Sequence, residues 1–177
     1  DSTIRPLIEE KLTNRTFNNR VGKGTHAAIN QVIKDIAEVS DGYTNEAWII
    51  KIDLKGYFPN INQCIAWELT EQLISESTYP DKDELWYLAS IVNYVNPQFN
   101  SHRRSPIHRW NDEIPRYKSL FDKPFGTGAA IGFLYWQVMS NYYLNGIDQW
   151  IISNITPHYV RFVDDMVMVV RNKSALA

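Results

Sequence analysis

"HYVRFVDDMVMVV", residues 158–170, places two adjacent carboxylates, Asp164 and Asp165, in the middle of an apolar, β-branched run. The run reads as strand, turn and strand over 158–171, with the Asp-Asp pair at the turn. Aspartate tolerates turn conformations, so a lone pair of this kind is ordinarily just a hairpin tip. A second carboxylate changes the reading. Upstream, "AWIIKIDL", residues 47–54, reads as a buried strand ending at Asp53, and "KGYFPNI" follows with Tyr57 and Phe58. If the two strand segments share one sheet, Asp53 and Asp164 meet, with Asp165 nearby. Three carboxylates that close repel one another and need a divalent cation to stay ionised together. Hard oxygen ligands suit Mg²⁺ or Mn²⁺ rather than zinc. Two such ions clamping an in-line phosphoryl displacement is the two-metal chemistry of polymerases and nucleases.

The chain around this cluster has 177 residues, 44% hydrophobic and 13% aromatic, enough to bury a core as one domain or one large piece of a bigger protein. A single cysteine, Cys64, excludes an internal disulfide framework, and no C-x-x-C pair offers a zinc site, so a reducing, cytoplasmic compartment is expected. No apolar run approaches the roughly 18 residues of a membrane span, and no basic stretch leads into an apolar leader. The net charge of −2 turns attention from the overall balance to local patches. The chain opens at Asp1 without methionine and stops soon after an apolar strand, so we expect an excised piece.

Elsewhere the periodicity predicts helices separated by short strands. Thr25 is the expected N-cap of a helix in "HAAINQVIKDIAEVS". "INQCIAWELTEQLISES" fits an amphipathic helix, and "DELWYLASIVNYV" a second one with Leu85, Leu88, Ile91, Val92 and Val95 on its apolar face. Residues 96–128 carry Pro97, Pro106, Pro115 and Pro124 and read as a long ordered loop or insertion. "IGFLYWQVMSNYYLNGIDQWIISN" is expected to form one long helix. His26, His102, His108 and His158 show no metal-ligand spacing and read as surface or capping residues.

Taken in order, these segments resemble the fingers and palm of a bacterial reverse transcriptase. "DLKGYF" is similar to that family's motif A, "GTGAAIGFLYWQVMSNYYLNGID" to motif B, and "RFVDDM" to motif C; "FNNRVGKGTHAAI" is similar to the fingers segment that precedes them. The insertion before motif B, with "SHRRSP" and "HRW", looks most like diversity-generating retroelement enzymes and related lineages. The resemblance implies that Asp53 and Asp164 are the principal ligands of two Mg²⁺ (or Mn²⁺) ions, with Asp165 in support and the backbone carbonyl of Leu54 as a further ligand. It puts Phe58 at the steric gate that favours dNTP over rNTP, and Gln137 near the nucleotide and template. Gly128 and Gly132 would then allow close approach of backbone to nucleic acid. Arg20 and Lys23, flanked by glycines, suit the triphosphate. Within residues 98–123, six basic residues, Arg103 and Arg104 among them, face three acidic ones and are interleaved with aromatics. That stretch fits either a nucleic-acid backbone track or a flap docked on the palm. The sequence departs from the family pattern at Ala130 and Trp136, where Pro and Ser are usual.

The implied fold is α+β: a right-hand polymerase palm, a small antiparallel sheet backed by helices, with fingers and with the thumb absent. Residues 1–46 would be fingers, 47–75 palm with motif A, 76–127 the insertion, and 128–177 palm with motifs B and C. The implied activity is RNA-directed DNA synthesis from an RNA template, a DNA or RNA primer and dNTPs, with an accessory protein as a further partner and no membrane. Without a thumb, the fragment alone is expected to be weak or inactive. Three other readings stand beside it. One is a noncatalytic nucleic-acid-binding domain of the same fold, and one a non-templated polymerase of the phage-defence type. The third is a palm-type cyclase, which would want a Gly-Gly-Asp/Glu-Glu-Phe hairpin that the sequence does not contain.

Overall fold

The computed structural model describes residues 3–99, 102, 104–121, 123–130 and 132–172. Its elements run α1 (Ile4–Lys11), α2 (Thr25–Val39), β1 (Trp48–Asp53), α3 (Tyr57–Asn60), α4 (Gln63–Glu76), α5 (Lys82–Asn93), α6 (Ile107–Glu113), a single 3-10 turn (Arg116–Lys118), α7 (Leu134–Tyr143), α8 (Asn145–Asn154), β2 (Tyr159–Phe162) and β3 (Asp165–Val170). This is an α+β chain with one small antiparallel sheet. It divides into two compact units that interleave in sequence, one of Asp1–Ile8 with Lys55–Met139 and one of Glu9–Leu54 with Ser140–Ala177. No described helix is long and apolar enough to cross a membrane.

The second unit holds the sheet, in the order β1-β3-β2. Its register pairs Ile49 with Val169, Lys51 with Val167 and Asp53 with Asp165, while Val160 lies across from Val167 and Phe162 from Asp165. Side chains alternate between faces along a strand. Val160 and Phe162 therefore share a face with Asp165 and Asp53, and α2 covers that face, packing Ala28 and Val32 against Phe17, Val160 and Phe162. The other face buries Met166, Met168, Tyr159 and Arg161. Segment 15–17 runs along the outer edge of β2: the Arg161 amide donates to Arg15 O at 2.8 Å and the Phe17 amide to Arg161 O at 3.0 Å.

β1 differs from expectation. It has a sheet neighbour on one side only, so Trp48, Ile49 and Ile52 are exposed and the strand is not buried. Three other local readings also shift. Thr25 is the first residue of α2, and the cap position belongs to Gly24, without a side-chain hydrogen bond. The single long helix breaks at Leu144 into α7 and α8. The hairpin turn is made by Val163 and Asp164, and Asp165 already belongs to β3.

The first unit is built on α4 and α5. Asn62 caps α4 by accepting from the amides of Cys64 and Ile65, and Asp81 caps α5 by accepting from Glu84 N. Their shared core is Trp67, Ile74, Leu85 and Ala89, with Ile4 and Tyr79 against it. The buried stripe of α5 is thus Leu85, Ala89 and Asn93, whereas Leu88 and Ile91 are exposed. Asn93 goes inside because it has partners there: the Tyr135 hydroxyl donates to Asn93 Oδ1 at 2.9 Å and contacts the Thr70 hydroxyl at 2.8 Å, while Asn93 Nδ2 donates to Gln63 O. Within the proline-rich segment the structure shows α6 and the 3-10 turn in place of an unbroken loop.

Candidate functional site

The antiparallel register places Asp53, the last residue of β1, directly across from Asp165, the first of β3. Asp164 precedes it in the turn, and the Leu54 amide reaches Asp164 O at 3.4 Å. Two strands remote in sequence thus bring the three predicted carboxylates to one corner of the sheet. Their electrostatics are shared. Burial pushes the Asp164 carboxyl up from its ordinary range, and the charges of Asp53 and Asp165 push it further, against its own backbone amide and Lys51. Lys51, one step along the same face, pairs with Asp165 at 2.9 Å, and its ammonium is held above its usual range by Asp165 first and by Asp53 and Asp164 after it. The trio is a loose cluster: the group of described residues whose ligand atoms all lie within 4.8 Å of one another is a different one, taken up below.

The turn that carries Asp164 is strained. Val163 has φ of 60°, in a region a β-branched residue avoids, and the position is the first of two central turn residues, where glycine is the usual choice. A residue held there costs of order 1–3 kcal/mol. Arg161, fully buried, donates from Nη1 to Val163 O at 3.0 Å. The same guanidinium is anchored to Asp148, also fully buried, through Nε and Nη2 at 2.7–3.0 Å. Tyr159 and Thr16 donate their hydroxyls to the same carboxylate. That need explains the break at Leu144: it starts α8 in time to turn Asn145 and Asp148 inward.

The remaining predicted residues are distributed as follows. Phe58, half-buried and edge-on to Tyr57, lies in the first unit together with Gly128, Gly132 and Gln137. There the segment after β1 is stitched to the segment before α7: the Gly128 amide donates to Ile61 O at 2.8 Å and the Ala129 amide to Phe58 O at 2.9 Å. Gly128 has φ of 92°, and a Cβ there would press on the Leu120 side chain at 2.7 Å. Gly132 also has positive φ but sits in open space. Ala130 and Trp136 are both buried, so they act through packing.

Arg20 is not free for a triphosphate in this arrangement. Its guanidinium pairs with Glu9 at 2.7 Å and donates to Thr13 O and Thr16 O. Lys23 donates to Asn14 O at 2.8 Å and stands over the Phe17 ring, and burial followed by the nearby Arg20 lowers its pKa. Arg103 lies outside the described residues; Arg104 is exposed. Within residues 98–123 the aromatics pack on each other and on cations, Trp110 against Phe121 and Tyr117 against Lys55 and Lys118.

Sequence reading missed one cluster. Asp35, Glu38 and His158 have ligand atoms all within 4.8 Å of one another. His158 Nδ1 lies 3.5 Å from Asp35 Oδ1, outside hydrogen-bond geometry. Asp35 is already neutralised by a two-pronged bond from Arg15, 2.9 Å to each oxygen, with Gln31 in addition. We read the group as a tie between α2 and the start of β2. The spacing Asp35-x-x-Glu38 was visible, but its approach to His158 depends on the fold. No known protein-family description matches the chain, and no curated protein matches it significantly.

Proposed function

We propose that the chain is the fingers-and-palm part of an RNA-directed DNA polymerase whose metal centre is Asp53, Asp164 and Asp165. The observation that carries the reading is the register of Asp53 against Asp165 with Asp164 adjoining, produced by strands about 110 residues apart in an antiparallel sheet. The donor set fits a hard divalent ion. It is all oxygen, and the charges of Asp53 and Asp165 add to burial in raising the proton affinity of Asp164, with Lys51 as the nearby counter-charge. Bound Mg²⁺ would supply charge neutralisation at the α-phosphate and at the primer hydroxyl. The chain's own part is positioning: Asp53 and Asp164 would hold the ions, with Asp165 in support and the Leu54 carbonyl as a fourth ligand group. Lys51, paired with Asp165, would have to give way to a cation held there. The reaction so supported would be attack of a primer 3′-oxygen on the α-phosphorus of a dNTP with loss of pyrophosphate, and Phe58 is the proposed selector against rNTP.

The test is primer extension on an RNA template with dNTPs and Mg²⁺ or Mn²⁺, beside Asp164→Ala. Template-dependent DNA that vanishes in the variant supports the reading. Product that ignores the template points to a non-templated polymerase. No product from folded protein that still binds primer-template points to a noncatalytic binding domain.

A further inference from the structure

The backbone of Val163 is gripped on both sides. Its amide donates to Asn18 Oδ1 at 3.0 Å, and its carbonyl accepts from Arg161 Nη1 at 3.0 Å. The two grips are joined to each other. Asn141 Nδ2 donates to Asn18 O at 2.8 Å, and Arg161 Nη2 donates to Asn141 O at 2.8 Å. Asn18 and Asn141 are nearly fully buried. Asn18 Nδ2 has no hydrogen-bond partner, an unusual condition for a buried amide that marks a residue held for some other purpose. Its orientation is fixed, because a flipped amide would set a donor against the Val163 N–H. Asn18 lies in "FNNRVGKG", far from the hairpin in sequence, and neither composition nor spacing singled it out.

We propose that Asn18 and Arg161 are positioning residues that hold Val163 at positive φ and thereby aim Asp164 toward Asp53. The consequence for cation binding rests on the metal reading above; the clamp itself does not. Left alone, a valine relaxes toward negative φ, which rotates the peptide that leads into Asp164. The clamp makes the ligand-ready turn the ground state.

The test uses the full chain and Mn²⁺, read from the paramagnetic signal of the free hydrated ion, with Asn18→Ala, Val163→Gly, the double variant, and Asp164→Ala as control. Asn18→Ala is expected to weaken Mn²⁺ about tenfold, the population shift that one lost hydrogen bond can produce. Glycine adopts positive φ without help, so on the Val163→Gly background the loss should shrink to about threefold or less. An equal loss on both backgrounds, or no loss at all, overturns the proposal, as does an unfolded Asn18→Ala that Val163→Gly does not restore. If wild type binds no Mn²⁺, or Asp164→Ala leaves binding unchanged, the metal reading fails. The clamp is then decided by the strong intraresidue amide–Hα cross-peak that marks positive φ at residue 163. That peak should be present in wild type and lost in Asn18→Ala; its persistence in Asn18→Ala overturns the clamp.

Discussion

Replacing Asp148 with Asn should destabilise the protein more than almost any other single-atom change. Asp148 and Arg161 are both fully buried, and the carboxylate accepts three contacts from the guanidinium at 2.7–3.0 Å, with Tyr159 at 2.7 Å and Thr16 at 3.2 Å. Asparagine keeps one acceptor oxygen and turns an amino group toward guanidinium donors. Arginine cannot shed its proton, so the charge remains buried and unmatched. Breaking a buried pair in this way costs about 3–5 kcal/mol, a large part of a typical total of about 5–15 kcal/mol. With a urea slope of about 1–3 kcal/mol per molar, the midpoint should fall by at least about 1 M. The control is the double variant Asp148→Leu with Arg161→Met, which removes both charges. It leaves Tyr159, Thr16, Asn141 and the Val163 carbonyl short of partners, as the singles also do, but leaves no charge buried unmatched, so it should lose less than the two singles combined. Urea unfolding followed by circular dichroism reads wild type, Asp148→Asn, the singles Asp148→Leu and Arg161→Met, and their double. A loss below about 1 kcal/mol for Asp148→Asn, or a double equal to the sum of its singles, would refute the argument that a buried charge pair organises this unit.

Other outcomes follow from single contacts. Since burial and the charges of Asp53 and Asp165 raise the Asp164 pKa, its protonated form is favoured by the fold. That advantage is complete below the ordinary value of 3.8 and is lost as pH rises through the raised native value. Asp164→Asn should therefore raise the melting temperature at pH 7 and leave it unchanged well below pH 3.8, and an equal rise at both pH values would contradict this. Gly56→Ala, with φ of 64° and a Cβ aimed at the Tyr117 carbonyl, should cost about 2–5 kcal/mol in urea. Gly22→Ala, with φ of 71° but open space around it, should cost only about 1–2 kcal/mol. Tyr135→Phe removes the hydroxyl shared by Asn93 and Thr70 and should cost about 1–3 kcal/mol in the same assay. Lys51→Met should tighten Mn²⁺ binding at the aspartates a few-fold by removing the resident competitor, and weaker binding would assign Lys51 a different role.

Much of the frame was legible because it is written locally. The β-branched runs at 48–53 and 159–170 announce strands, and the apolar periodicity of 61–77 and 83–95 announces α4 and α5. Pairing those strands predicts Asp53 beside Asp164 with Asp165 nearby, whereas the register sets Asp53 across from Asp165 and leaves Asp164 in the turn. What stayed hidden depends on partners distant in sequence. Asp148 reads as a polar residue on a helix, and only Arg161 across the fold explains why the helix must break before it. Arg20 reads as a free cation because nothing in "NNRVGKG" discloses Glu9. Leu88 and Ile91 read as core because periodicity cannot say which side of an apolar helix is covered. Val163 reads as an ordinary strand residue, since positive φ there is imposed by Asn18 and Arg161 and not by valine itself.

The position of β1 at the rim of the sheet bears on how the proposed centre would respond to heat and denaturant. β3 is bonded on both sides, so the hairpin bearing Asp164 and Asp165 is stapled at the middle of the sheet, while Asp53 hangs on the strand with one set of cross-strand bonds. Partial opening should therefore peel β1 away first, and amide exchange along residues 48–53 should outrun exchange along β3. A cation that bridges the two strands would act as a rivet, slowing the exchange of β1 selectively. Any tightening of the edge by a neighbouring chain would raise apparent cation affinity by increasing the fraction of molecules with the corner closed.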